Sequence, residues 1–201
     1  MGIIFVNILE TSQSAFKALT DASFQVASII TTTGFATTDF NMWSGTVKTI
    51  LVLLMFIGAC AGSTGGGLKV SRVLLLLKSI GRTIGDALHP RRVHTVYMDG
   101  RVVEEKISNT VNAYFAVYFM LILISFVLVS VDGYSIGTNI SAVTACFNNI
   151  GPGFELVGAT GNYGHFSVFS KLILTADMLL GRLEIFPILV LFSPDTWSRK
   201  R

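Results

Sequence analysis

The sequence predicts an all-α integral membrane protein built from repeated helix, re-entrant pore loop and helix units, with one spanning helix broken in its middle. Three observations predict it. The 201 residues are 51% hydrophobic and only 13% charged, about half the roughly 25% charge of an average soluble domain, and the mean hydropathy is +0.64. An apolar, helix-compatible run from Ala22 to Ile30 stops at Thr31-Thr32-Thr33-Gly34 and leads through a polar turn into a long hydrophobic segment. The same order returns from Ser141 to Phe154, where a short apolar run breaks at Asn148-Asn149-Ile150-Gly151-Pro152-Gly153.

Runs this short do not cross a bilayer, and non-helical backbone at membrane depth is tolerated only where protein or a water-filled cavity satisfies its carbonyls. Such carbonyls can replace an ion's hydration shell. Glycine permits the backbone angles that aim them inward, and the threonines add hydroxyl oxygens beside them. A single copy reads equally well as a glycine turn between two core helices. The second copy shifts the balance: Gly34 aligns with Gly151 and, allowing for a longer second loop, Lys48 aligns with Lys171 and Gly58 with Gly181, as a pore built from repeated hairpins requires.

In chain order, Met1 to Ile8 reads as the tail of a helix, and no basic segment followed by a cleavage site suggests a removable signal peptide. Lys17 and Asp21 bracket the approach to the first pore loop, 22–39, and Trp43 sits where an interfacial aromatic is expected. The next helix, 47–77, is interrupted by the glycine-rich run Gly58 to Gly67. Continuous helix there would lose about 1 kcal/mol per glycine relative to alanine, so a broken helix is expected. Gly62 to Lys69 superficially resembles a phosphate-binding loop. The match fails, because Leu68 separates the last glycine from Lys69, Val70 stands where Ser or Thr is needed, and no strand precedes.

Lys69 to Lys106 holds eight of the fifteen basic residues, whereas residues 107–170 hold none. That bias places the first stretch in the cytoplasm, and Arg199-Lys200-Arg201 puts the C-terminus there too. Asp86, Asp99, Glu104 and Glu105 dilute the basic run, which argues for membrane orientation and against nucleic acid. Residues 81–106 are expected to be a cytoplasmic linker with a small hairpin turning at Asp99-Gly100.

Residues 110–131 form the cleanest spanning helix, uncharged over about 33 Å, and Asp132-Gly133 ends it outside. The second pore loop, 141–154, follows, and helix 166–192 returns to the cytoplasm with Asp177, Arg182 and Glu184. Ionisable residues in a spanning helix normally face a partner or a water-filled pathway. At about 100° per residue Asp177 and Glu184 share a face, whereas Arg182 lies about 140° from Asp177. Arg182 therefore meets another segment or reaches the pore.

Cys60 and Cys146 lack metal-ligand spacing and read as small buried hydrophobes. The histidines, His89, His94 and His165, come with no paired acid or nucleophile. No catalytic constellation and no nucleotide or phosphorylation motif of a pump is present, so the expectation is a non-enzyme without a cofactor.

Four motifs in order, Thr31-Thr32-Thr33-Gly34-Phe35-Ala36-Thr37, Ala61-Gly62-Ser63-Thr64-Gly65-Gly66-Gly67, Phe147-Asn148-Asn149-Ile150-Gly151-Pro152-Gly153 and Leu180-Gly181-Arg182-Leu183-Glu184, resemble the Trk/Ktr/HKT superfamily of potassium transporters. Within it they are most similar to the C-terminal half of the membrane subunits of bacterial Trk systems. The resemblance implies four helix, pore and helix units around one potassium path in the bacterial inner membrane. Gly34 and Gly151 would be the filter glycines of the third unit (1–80, its first helix largely missing) and the fourth (107–201). Thr32, Thr33, Gly34 and Phe35, with Asn149, Ile150, Gly151 and Pro152, would form the filter, and Thr33, Gly34, Ile150 and Gly151 would hold potassium. Gly62, Ser63, Thr64, Gly65, Gly66 and Gly67 would form an intramembrane gate loop, with Arg182 projecting towards the same cavity. Implied partners are lipid, the remaining pore units, a second copy in a homodimer and a cytoplasmic nucleotide-binding TrkA-like ring. Two units alone cannot close a four-fold pore, so the chain is part of a longer protein or assembles with other chains. The alternative reading is a non-conducting structural or regulatory membrane subunit.

Overall fold

The computed structural model describes residues 1–9, 14–58, 60, 62–63, 65–88, 95–183, 185–192 and 194–197. The expectations placed on Thr64, Glu184, His89, Arg91, Arg92, His94 and residues 199–201 lie outside them.

Helix α1 (Gly2–Leu9) packs on α2 (Ala15–Ile30) and on α3 (Gly45–Phe56). A turn separates α3 from α4 (Val70–Leu88), and a two-stranded hairpin of β1 (Tyr97–Met98) and β2 (Arg101–Val102) follows. Then come α5 (Glu105–Val129), α6 (Ile136–Phe147), α7 (Val168–Arg182), α8 (Ile185–Leu191) and α9 (Pro194–Trp197). Asp99 and Gly100 both take positive φ, 50° and 75°, the angles that a two-residue hairpin turn with strand-matched twist demands.

Serines set the starts of three helices by accepting from exposed backbone N–H groups. Ser44 Oγ accepts from Val47 N at 3.4 Å, Ser135 Oγ from Thr138 N at 3.1 Å and Ser167 Oγ from Ser170 N at 3.1 Å, each stabilising its helix by about 1 kcal/mol. Among the described residues, the stretch Glu105–Asp132 is the one helix long and apolar enough to cross a membrane. It stops at Gly133, whose φ of 76° closes the last turn in the left-handed conformation.

The helix bounds differ from the sequence expectations. The first pore helix begins at Ala15 rather than Ala22, and the second at Ile136 rather than Ser141, because each includes a polar approach that hydropathy alone discounts. The broken helix resumes only at Val70 and runs to Leu88, through residues assigned to the linker. The final helix, expected to be continuous over 166–192, ends at Arg182 and restarts at Ile185. Pro187 explains that interruption, since it has no N–H to donate to the Leu183 carbonyl and its ring would clash there; it is tolerated in the first turn of α8.

The core divides among the two units and their seam. Ile4, Ala22, Ile29, Val47, Leu51 and Met55 pack together with Ile150 and Phe154 from the second pore loop. Val129, Ala142, Val143, Cys146 and Leu174 join α5, α6 and α7. A third cluster links Leu68 to Tyr114, Tyr118, Phe147 and Ile185. The loop after the second pore helix is thus held by buried contacts from the first unit.

Candidate ion path and gate

The two pore loops share one backbone design at a constant offset of 117 residues, that between Gly34 and Gly151. Thr31 N bonds Ala27 O at 2.9 Å, as Asn148 N bonds Thr144 O at 3.0 Å. Thr32 N bonds Ile29 O at 3.1 Å, as Asn149 N bonds Cys146 O at 3.0 Å. Thr33 N and Ile150 N reach Ser28 O and Ala145 O, both at 2.9 Å. Thr32 and Asn149 both take φ of 56°, and Gly34 and Gly151 follow at 76° and 99°. Left-handed φ is strained for a β-branched residue such as Thr32, and strain of this kind persists where the surroundings over-determine it. These bonds satisfy carbonyls that the C-terminal end of a helix would leave free, and they turn the chain sharply out of helix.

The two loops meet. The Ile150 carbonyl oxygen occupies the space that a side chain on Gly34 would need, with Pro152 Cδ 3.1 Å from the same position. The hydroxyls of Thr31 and Thr33 bond each other at 2.7 Å and turn back to Ala27 O and Ser28 O at 2.7 and 3.2 Å. The Asn149 amide likewise donates to Met178 O at 3.1 Å. Side chains here brace the turn. The Phe35 side chain is exposed, while its carbonyl accepts from Ser28 Oγ at 2.6 Å.

The second helices carry their own correspondence, at an offset of 123 residues, that between Gly58 and Gly181. Ser44 and Ser167 cap α3 and α7 alike, and Lys48 N and Lys171 N bond the capping carbonyls at 3.1 and 3.0 Å. Gly58 approaches the carbonyl of Ile30, the last residue of α2, with 3.2 Å to a β-carbon there. Gly181 approaches the carbonyl of Phe147, the last residue of α6, more closely still. The chain departs from helix near both glycines, by a long loop that begins at Ile57 and a short one after Arg182.

The long loop has pinned ends. Leu68 N bonds Phe56 O at 3.0 Å, Gly58 N bonds Leu68 O at 3.2 Å, and Ile57 and Leu68 form an isolated bridge. A β-carbon on Gly66 would overlap the Asn148 carbonyl, and one on Gly67 would stand 2.9 Å from Asn148 Oδ1. Asn148 is fully buried and held by Tyr118, whose hydroxyl donates to Oδ1 at 2.6 Å. Ser63, Gly65, Gly67, Lys69, Arg72 and Arg182 line one cavity of about 250 Å³ beneath this contact. Of the expected gate residues, Ser63, Gly65, Gly67 and Arg182 therefore share a cavity, Gly66 abuts the pore loop, and Gly62 has open space around it. Asp177 pairs with Ser125, whose Oγ donates to Oδ1 at 2.6 Å, in keeping with the angular separation that kept it from Arg182.

Beyond the two pore loops, Asn41 and Glu155 are clamped together by two hydrogen bonds: Glu155 N donates to Asn41 Oδ1 at 2.9 Å, and Asn41 Nδ2 donates to Glu155 O at 3.1 Å. The Glu155 carboxylate accepts from Ser135 and Thr138, and these hydroxyls hold its carboxyl below the usual carboxylate range. The Ser167 amide donates to Asp132 Oδ2 at 2.9 Å. Sequence reasoning passed over Tyr118, Asn41, Glu155 and Pro187. The proline was readable as a helix breaker, whereas the other three act through contacts across 30 to 114 residues, and no local pattern marks them.

Residues 6–200 match the family model described as TrkH, cation transport protein. The chain is 39% identical over 184 residues to the Trk system potassium uptake protein TrkH of Salmonella typhimurium, covering 92% of this chain and 38% of that one. It is 32% identical over 201 residues to the Trk system potassium uptake protein TrkI of Halomonas elongata, covering 98% and 41%. The crystal structure of the potassium transporter TrkH from Vibrio parahaemolyticus superposes with a TM-score of 0.87 at 36% identity, over 98% of this chain and 42% of that one. The chain thus spans about two fifths of the length of the relatives it matches. It belongs to the TrkH cation transport protein family.

Proposed function

We propose that this chain supplies the third and fourth pore units of a Trk-type potassium uptake transporter. The observation that carries the reading is the pair of pore loops with three matching backbone hydrogen bonds, abutting at Gly34 and Ile150. Potassium is the transported substrate. It sheds water against backbone oxygens around Thr33, Gly34, Ile150 and Gly151, with Thr32, Phe35, Asn149 and Pro152 shaping the turns. Residues 62–67 close the path beneath, and Arg182 adds a positive charge that repels potassium from the same cavity.

On this reading the protein is multi-pass in the bacterial inner membrane with its C-terminus in the cytoplasm. The remaining pore units complete the four-fold path, a second copy completes a homodimer, and a TrkA-like nucleotide-binding ring sets the gate from the cytoplasmic side. The relatives' names, potassium uptake and transporter proteins, support the substrate. Rubidium uptake by the full-length protein in a host lacking its own potassium uptake tests the reading. Uptake well above empty vector is expected, and uptake no better than empty vector at equal membrane expression would identify a non-conducting subunit instead.

A further inference from the structure

Tyr163 stands behind the second pore loop, in the outer connection between Gly153 and α7. Its hydroxyl donates to the carbonyl of Gly151 at 2.6 Å and lies against the Cys146 thiol on the pore helix. The ring stacks on Phe166, 6.1 Å between centroids, and packs on the cluster that joins α5, α6 and α7. The segment bearing it is tied down on three sides. Tyr134 Oη donates to His165 O at 2.6 Å, Lys171 Nζ to Gly164 O at 2.9 Å, and Ser167 N to Asp132 Oδ2 at 2.9 Å. The donor aimed at Gly151 is therefore rigidly mounted on elements outside the loop it serves.

The first loop has a different arrangement. No bond to the Gly34 carbonyl is present among the described residues; the brace there is Ser28 on the pore helix, and it acts one residue later, on Phe35 O. Gly151 itself is open on its other side, with no atom within 4 Å of where a side chain would start.

We infer that Tyr163 is a specificity-determining positioning residue, which restrains the Gly151 carbonyl so that it cannot close around an ion smaller than potassium. A carbonyl oxygen has two lone pairs, so one can accept from Tyr163 while the other faces the path. Sodium is held well only if the surrounding oxygens move inward, and an oxygen tethered from behind by a well-mounted donor resists that motion. The two loops then contribute unequally to selectivity, the second being the stiffer. This inference rests on the proposed filter role of Gly151.

The test uses the full-length protein in vesicles of phosphatidylethanolamine and phosphatidylglycerol, with potassium and sodium permeabilities read as a ratio, which does not depend on the number of folded molecules. Tyr163→Phe keeps the stacked ring and removes the donor. The potassium-to-sodium ratio should fall about fivefold, the equivalent of one hydrogen bond of about 1 kcal/mol. Phe166→Leu loosens the same packing and leaves the hydroxyl in place, so its ratio should fall less than that of Tyr163→Phe. An unchanged ratio in Tyr163→Phe, or an equal fall in both variants, overturns the inference. If Tyr163→Phe does not fold, a ring-fluorinated tyrosine at position 163 keeps the shape and strengthens the donor; the ratio should then rise, and no rise overturns the inference. A wild-type protein without potassium preference removes the filter reading itself, a result obtained before any variant is made.

Discussion

Gly181 packs against the carbonyl oxygen of Phe147 so closely that a β-carbon on it would overlap that oxygen. The absence of a side chain lets α7 lie along the end of α6. In an exposed helix, glycine to alanine stabilises by about 1 kcal/mol. Here the sign reverses, because the obstructing atom is backbone. Gly181→Ala should destabilise the full-length protein by about 1–3 kcal/mol, as overpacked sites do. Gly58→Ala, whose β-carbon meets Ile30 O at 3.2 Å, should cost less. Thermal melting of the purified variants checks both the sign and the order.

The clamp between Asn41 and Glu155 joins the segment after the first pore loop to the segment after the second. Asn41→Ala removes both hydrogen bonds and should cost about 1–3 kcal/mol, visible as a lowered melting temperature. The Glu155 carboxyl, which accepts from Ser135 and Thr138, adds a separate pH dependence to stability. Its folded pKa lies below the ordinary value, so its contribution is fully present above the unfolded value of about 4.3 and is lost as pH falls through the folded pKa. Stability measured from pH 7 downward should therefore decline on the acid side, and the decline should be shallower in Glu155→Gln. Parallel curves for the two proteins would exclude Glu155 as the source.

Much of this architecture was legible before any coordinates, and the reason is physical. Glycines at Gly34, Gly58, Gly151 and Gly181 mark positions where backbone must approach backbone or take left-handed angles, and such positions admit few other residues. Matching them in sequence therefore aligned the structural repeats. The illegible part is what depends on contact at a distance. Tyr118 reaching Asn148 and Asn41 reaching Glu155 each unite residues from different elements. The thin polar starts of α2 and α6 escaped because their helicity comes from packing on neighbouring elements, a tertiary effect that local hydropathy does not carry.

The filter reading makes Gly34 sensitive in a specific way. Its φ of 76° disfavours any side chain, and the Ile150 carbonyl fills the position where one would begin. Gly34→Ser must push the two loops apart, which enlarges or tilts the ring of oxygens. Potassium uptake should fall, and discrimination against sodium should fall with it. Unchanged relative permeability would place Gly34 outside the filter.

Gating makes the last prediction, and the pinned ends of the loop give it form. Gly58 and Leu68 are hydrogen-bonded neighbours, so deleting residues 62–67 leaves Ala59, Cys60 and Ala61 to join two points already side by side. A three-residue connection of that kind is ordinary for a tight turn. The deletion should therefore preserve the helices while emptying the space beneath the pore loops, and basal flux should rise. Gly66→Ala tests the same contact by a smaller change. Its β-carbon would overlap the Asn148 carbonyl, and Asn148 is held by Tyr118, so the glycine loop is the part that yields. Moving the loop away from the pore should also raise flux and weaken control by a cytoplasmic partner. Arg182→Ala removes a charge from the cavity shared with that loop and should act in the same direction. If Arg182 serves instead as one half of a structural ion pair, its loss leaves a partner exposed to a penalty of about 3–5 kcal/mol, and the protein folds poorly. Flux divided by the amount of monodisperse protein separates the two: a rise per folded molecule supports the gate, and an unchanged or lower value in all three variants removes it.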